Sequence, residues 1–232
     1  MCGAGVTGYG LKIAVIDTGV NASHPHIGAP THRVIFDPDD LDGTCEDVLG
    51  HGTAVTAAIQ EKAPGAEYYI LKLFGDSLRT TTSRLLQAIE WTIDQRMDVV
   101  NLSLGSPNLD RRCAFESLVA EANDAGVLLV AARSSPQGAV LPGMLEGVIS
   151  VDVDWTLPRD RYRVLQGEGS TVFLASGFPR PLPGVSTRRN LSGISFAVAN
   201  MTGFVARACD ELDRRSFEDV LTALAAETAL HA

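Results

Sequence analysis

Asn-Leu-Ser-Gly-Ile-Ser-Phe-Ala-Val-Ala-Asn-Met-Thr-Gly-Phe, residues 190–204, joins a polar run of small residues to a smooth apolar run with helical spacing. The junction falls at Ser195. A serine there occupies the first turn of a helix, with its hydroxyl exposed and the positive end of the helix dipole beside it. Negative charge forming next to that hydroxyl is stabilised, which is what a nucleophilic serine requires. Most serines at helix starts only cap the helix. The reading therefore turns on whether a base and an orienting acid stand elsewhere in the chain.

Two stretches supply them. Lys-Ile-Ala-Val-Ile-Asp-Thr-Gly, residues 12–19, is an apolar, β-branched run of strand length that ends in Asp17 and a turn. Gly-His-Gly-Thr-Ala-Val-Thr-Ala-Ala-Ile, residues 50–59, sets His51 at the start of a small-residue helix. A serine hydroxyl is a weak nucleophile near neutral pH and needs a base within hydrogen-bond reach. His51 is the candidate base, and Asp17 the group that holds its tautomer and stabilises its cation. The oxyanion of acyl transfer needs preorganised donors, and the Ser195 backbone N–H is one.

The order Asp, His, Ser is that of subtilisin. The runs Ile-Asp17-Thr-Gly-Val-Asn-Ala-Ser-His-Pro, Gly-His51-Gly-Thr and Ser-Gly-Ile-Ser195-Phe-Ala resemble those of the subtilisin-like serine peptidases, the subtilases of peptidase family S8. So does the run from Ala88 to Gly105, which contains Asp-Val-Val-Asn-Leu-Ser-Leu-Gly. The resemblance covers roughly residues 9–208, and three separate motifs in order are far more specific than any one. It implies an α/β fold: a three-layer αβα sandwich around a mostly parallel sheet. It also implies a serine endopeptidase with a peptide or protein substrate. Two strand-like edges, Leu78-Arg79-Thr80 and Ser103-Leu104-Gly105, would hold an extended peptide through backbone hydrogen bonds.

The chain departs from the family after the strand that normally ends in Ala-Ala-Gly-Asn, where it reads Ala131-Ala132-Arg133-Ser134. Ser134 thus stands where the family carries its oxyanion asparagine. In subtilisin itself, removing that donor costs about 10²- to 10³-fold in turnover. Ser134 Oγ is a candidate replacement donor of shorter reach. Ala132 and Arg133 are expected beside the pocket for the residue preceding the cut, where a cation would favour an acidic side chain. Ile194 replaces a threonine, and Ala199 and Asn200 replace a Pro-His pair. The alternatives to an active endopeptidase are a pseudoprotease that binds peptides without cutting and a dedicated peptide-processing enzyme in a biosynthetic pathway.

Local pattern supports the same fold. Continuous apolar runs mark strands at 11–16, 67–73, 97–104, 127–132, 148–153 and 171–175, with a short one at 33–36. Helices are expected at 51–63, from a Thr82 or Ser83 cap through Ile93, at 111–125, after Ser195, and at 216–228. Alternation of the two types means parallel strands with helical crossovers. Nothing in the pattern suggests a linker or repeat, so residues 1–232 are read as a single domain.

Composition bounds the partners. The 232 residues are 45% hydrophobic and 20% charged, with net charge −9. No basic face points to nucleic acid, and no apolar run approaches the ~18 residues that span a membrane. The four cysteines, Cys2, Cys45, Cys113 and Cys209, form no Cys-x-x-Cys or zinc spacing. With no signal peptide or prosegment read, they are expected to be reduced thiols in a cytoplasmic compartment. Cys45, six positions before His51, is read as a bystander. The acidic stretch at 37–42, with Glu46 and Asp47, offers oxygen ligands of the kind Ca²⁺ takes, and the family often binds calcium. Its spacing fits no calcium loop, so it is read as a solvated loop, with no metal site and no required cofactor.

Overall fold

In the computed structural model, residues 7–28, 31–35, 44–75, 77–167, 170–186, 189–212 and 215–229 are described. The strands are β1 (Lys12–Asp17), β2 (Thr31–Ile35), β3 (Glu67–Lys72), β4 (Val99–Leu102), β5 (Leu128–Ala132), β6 (Ser134–Ser135), β7 (Gly138–Ala139), β8 (Ile149–Val153), β9 (Tyr162–Gly167) and β10 (Ser170–Ala175). The helices are α1 (His51–Gln60), α2 (Thr82–Asp94), α3 (Arg112–Ala125), α4 (Ile194–Asp210) and α5 (Phe217–Ala229).

Eight strands form one sheet in the order β2-β3-β1-β4-β5-β8-β10-β9. All neighbours pair parallel except β10 and β9. Strand residues alternate between two apolar layers because successive side chains point to opposite faces. Ile13 and Val15 of β1 join one layer, packed by Val55 and Ile59 of α1, the apolar side of α4, and Val220 and Leu224 of α5. Ala14 and Ile16 join the other, packed by Leu85 and Ile89 of α2 and Phe115 and Val119 of α3. Because β1 is buried on both faces, its sequence reads as an unbroken apolar run. The three-layer αβα architecture and its mostly parallel sheet are as the sequence implies.

The chain fills one side of β1 through α1 and β3, then crosses by α2 on the opposite face to β4 on the other side. A crevice opens at such a reversal, outside the carboxyl ends of the strands. Asp17 ends β1 there, and Ser103 follows the end of β4.

The differences from the sequence reading are local. β9 was not expected: Arg163 interrupts its apolar pattern, Gln166 and Gly167 end it, and the strand is an antiparallel edge with most residues exposed. The two-residue strands β6 and β7 form a separate tight hairpin just after β5. Thr81, not Thr82 or Ser83, caps α2, accepting from the Arg84 N–H. Helix α1 stops at Gln60.

Candidate active site

The site begins with the way α1 is seated. Gly50, at φ 76°, leads into the helix without a capping side chain of its own. Asp47 does that work from outside. Its Oδ1 accepts from the Gly50 N–H at 2.8 Å and the Thr18 hydroxyl at 2.7 Å. Its Oδ2 accepts from the Thr53 N–H at 2.7 Å and the Thr53 hydroxyl at 2.6 Å. Thr18 Oγ1 in turn accepts from the Gly52 N–H at 2.8 Å. The helix start is thus fastened to the turn after β1. Gly52 is required for the close approach, because a Cβ there would run into the Gly19 carbonyl oxygen.

This seating brings His51 onto Asp17. Nδ1 of His51 lies 2.7 Å from Asp17 Oδ1, and Asp17 is buried, 1% exposed. The same oxygen accepts the Thr18 N–H at 2.8 Å. With Nδ1 donating to the carboxylate, Nε2 is the acceptor nitrogen. Burial pulls the His51 pKa down, but the hydrogen bond and charge of Asp17, with the charge of Asp47, outweigh it, and the pKa is raised.

Ser195 is the second residue of α4, among the N–H groups that have no partner within the helix. The helix is held to β4 by a buried chain of polar groups. Thr202 Oγ1 donates to Asn101 Oδ1 at 3.0 Å, Asn101 Nδ2 to Ser103 Oγ at 2.9 Å, and Ser103 Oγ to the Ser195 carbonyl at 3.2 Å. The His51 ring packs against that of Phe196, the residue after Ser195, with centroids 5.5 Å apart. Among the described residues no hydrogen bond joins His51 to Ser195. The Ser195 hydroxyl donates instead to the Ser103 carbonyl at 3.2 Å.

Of the two expected peptide edges, Ser103, Leu104 and Gly105 follow β4 half-buried and outside the sheet's pairing, and Leu78 and Arg79 are exposed. Thr82 Oγ1 and Ser106 Oγ, 2.9 Å apart, tie the two segments together. Val140 packs directly on Gly105, where a Cβ would lie 2.6 Å from Val140 Cγ2.

Ser134 Oγ donates to Asp152 Oδ1 at 2.6 Å, which commits its one proton. Ala132 is buried at the end of β5. Arg133 borders a cavity shared with Met144, Glu146 and Thr171, which none of Asp17, His51 or Ser195 lines.

Sequence reading missed four contributors. Asp47 was assigned to a solvated loop, although an acid shortly before a helix start is a capping signal. Asn101 and Thr202 are hidden in apolar runs. Lys62, just past α1, donates to Asn200 Oδ1 at 2.7 Å, and Asn200 Nδ2 reaches the carbonyls of Ser176 and Phe178. Cys45 is buried with Sγ 3.7 Å from the Ile70 carbonyl oxygen. Residues 37–42 of the acidic stretch, and Cys2, lie outside the described residues. Among the described residues no cluster of three His, Cys, Asp or Glu side chains suits a metal, and no helix is long and apolar enough to cross a membrane.

Comparison with known proteins identifies the family and the fold. The model of the subtilase family matches residues 8–150. The M-protease of Shouchella clausii strain KSM-K16 is 32% identical over 216 residues, 87% of this chain. The chain spans about half, 54%, of that relative's length. The crystal structure of a cold-adapted subtilisin-like serine proteinase superposes with a TM-score of 0.74 at 22% identity, covering 97% of this chain and 84% of that one. The prenylagaramide maturation protease PagA superposes with a TM-score of 0.65 at 22% identity, covering 90% of this chain and 79% of that one.

Proposed function

The chain belongs to the subtilase family, and on that premise we propose that it is a serine endopeptidase in which Asp17, His51 and Ser195 act together. The observation that supports this most strongly is the 2.7 Å bond from His51 Nδ1 to the buried Asp17 carboxylate, beside a serine in the first turn of a helix. An extended peptide would lie along Ser103, Leu104 and Gly105 on one side and Leu78, Arg79 and Thr80 on the other.

Ser195 Oγ turns from the Ser103 carbonyl toward His51 as substrate enters. It attacks the peptide carbonyl carbon while Nε2 takes its proton, and Asp17 stabilises the resulting imidazolium. The carbonyl oxygen becomes an oxyanion facing the Ser195 N–H and the start of α4. Collapse breaks the C–N bond, His51 returns the proton to the departing amine, and an acyl-enzyme remains. Water, deprotonated by His51, then releases the acid and restores the Ser195 hydroxyl. No cofactor enters this scheme.

Because the Ser134 proton is committed to Asp152, Ser134 is not the second oxyanion donor in this reading. A weaker hole lowers turnover more than it lowers acylation by an activated ester. The test is a pre-steady-state burst with p-nitrophenyl acetate and cleavage of an unstructured protein such as casein. The proposal expects both from wild type and neither from Ser195→Ala. A folded wild type with no burst and no cleavage would support a peptide-binding pseudoprotease instead. A burst with cleavage confined to one small peptide class would support a processing role, the role that PagA's name gives to that protein.

A further inference from the structure

We propose that the groove between α1 and the segments 179–186 and 189–191 is a subsite for the leaving-group side of the substrate, taking an apolar residue next to the cut and a carboxylate further along it. This rests on the endopeptidase reading above.

The groove has a volume of about 600 Å³, within the range of built ligand pockets. Its near end approaches the triad through Gly50, which precedes His51, and Leu191, four residues before Ser195. Neither expected peptide edge, 78–80 or 103–105, lines it. If those edges hold the acyl side of the peptide, the groove is the path open to the other side.

Its walls carry two kinds of recognition. Leu49, Val185 and Leu191 are 39%, 39% and 43% exposed, and all three border this one space. Three large apolar side chains left in water around a single groove mark a surface that an apolar residue would cover. The floor is small, with Ala54 and Ala57 of α1, so a peptide backbone can lie close to the helix.

Basic side chains also line the groove. They are Arg180, Arg189, His24 and His26, in a protein whose net charge is −9. Arg180 donates to the His26 carbonyl at 3.5 Å and stands 3.8 Å from Glu61. That carboxylate is already bonded by Arg159 and lies 3.6 Å from the Lys62 ammonium. Three cations therefore share one anion. The groove's own acid, Asp47, sits at the near end with both oxygens occupied by four hydrogen bonds. That positive field is felt by His26, whose pKa is lowered by burial first and then by Arg180.

The experiment measures binding apart from cleavage. Fluorescent peptides representing the leaving side, with Glu, Gln or Lys at each of the second to fifth positions from the cut in turn, are titrated into Ser195→Ala by anisotropy at low salt. A parallel set ends at the position where Glu is preferred, as a free acid or an amide, which separates a side-chain carboxylate from a terminal one. The expected result is ~tenfold tighter binding of Glu than Lys, with Gln between, weakening with salt. Ser195→Ala carrying Arg180→Glu should reverse the order, and Arg180→Lys should keep it; a reversal cannot arise from misfolding. Equal binding of Glu, Gln and Lys overturns the groove proposal whatever the protein cleaves. A preserved preference in a protein that cleaves nothing leaves the groove standing and overturns the endopeptidase reading alone.

Discussion

His51 carries three opposing influences: burial, which lowers its pKa, and the carboxylates of Asp17 and Asp47, which together raise it further than burial lowers it. The base form is the active one, so kcat/KM should rise with pH along a limb centred above the ordinary histidine value of about 6.5. Asp17→Asn should move that limb down and cut turnover by about ten-thousandfold, because the tautomer is no longer fixed. The same shift acts on stability in the opposite sense. A folded-state pKa above the unfolded one contributes stability that is complete below the unfolded value and lost as pH rises through the folded value. Relative to Asp17→Asn, wild type should therefore gain melting temperature toward pH 5 and lose that margin above the His51 pKa. At Ser134, whose proton goes to Asp152, Ser134→Ala should leave acylation of Ser195 essentially unchanged; a collapse of acylation would return Ser134 to the oxyanion hole.

The elements that carry these residues were legible to different degrees. β1 and the start of α4 could be read because composition changes abruptly at Asp17 and Ser195. The fastening of α1 could not, since it depends on Asp47, Thr18 and Gly52 meeting in space across 29 and 34 residues of chain. Edge strand β9 escaped because most of its residues are exposed, and Arg163 and Gln166 break the apolar run a buried strand shows. Substitution at the fastening is expected to be severe. Gly52→Ala forces a Cβ against the Gly19 carbonyl, and overpacking of this kind costs about 1–3 kcal/mol. The variant should melt lower and lose most activity, because α1 can relieve the clash only by moving His51 off Asp17. Further along, Lys62 crosses from α1 to α4, with its stem where a Cβ on Gly203 would sit. Burial lowers its pKa to about 8, with Arg159 adding to the fall. Between that value and the unfolded value near 10.5, the unfolded chain holds more protons. Wild-type stability, taken relative to Lys62→Met, should therefore rise with pH across that window. A flat difference in chemical-denaturation midpoints would contradict the burial of the ammonium.

Across the whole molecule, two apolar layers share one sheet, and α4 reaches from that sheet to both α1 and α5. Such coupling predicts a single unfolding transition by calorimetry, with calorimetric and van't Hoff enthalpies equal; two resolved transitions would argue for separable units. The layers, the place of Asp17 at the end of β1 and the helix start at His51 were legible in the sequence, because strand ends and helix starts are locally encoded. The sequence did not show where hydroxyl protons go or how charge is distributed around the groove, because those depend on side chains distant in sequence. The central claim is that Asp17 and His51 activate Ser195. Its most direct test is intact-protein mass spectrometry after exposure to a fluorophosphonate at pH 8. The account predicts one adduct on wild type, mapped to the peptide containing Ser195, absent from Ser195→Ala and strongly reduced in Asp17→Asn. A folded wild type that remains unmodified, or an adduct that persists in Ser195→Ala, would contradict it.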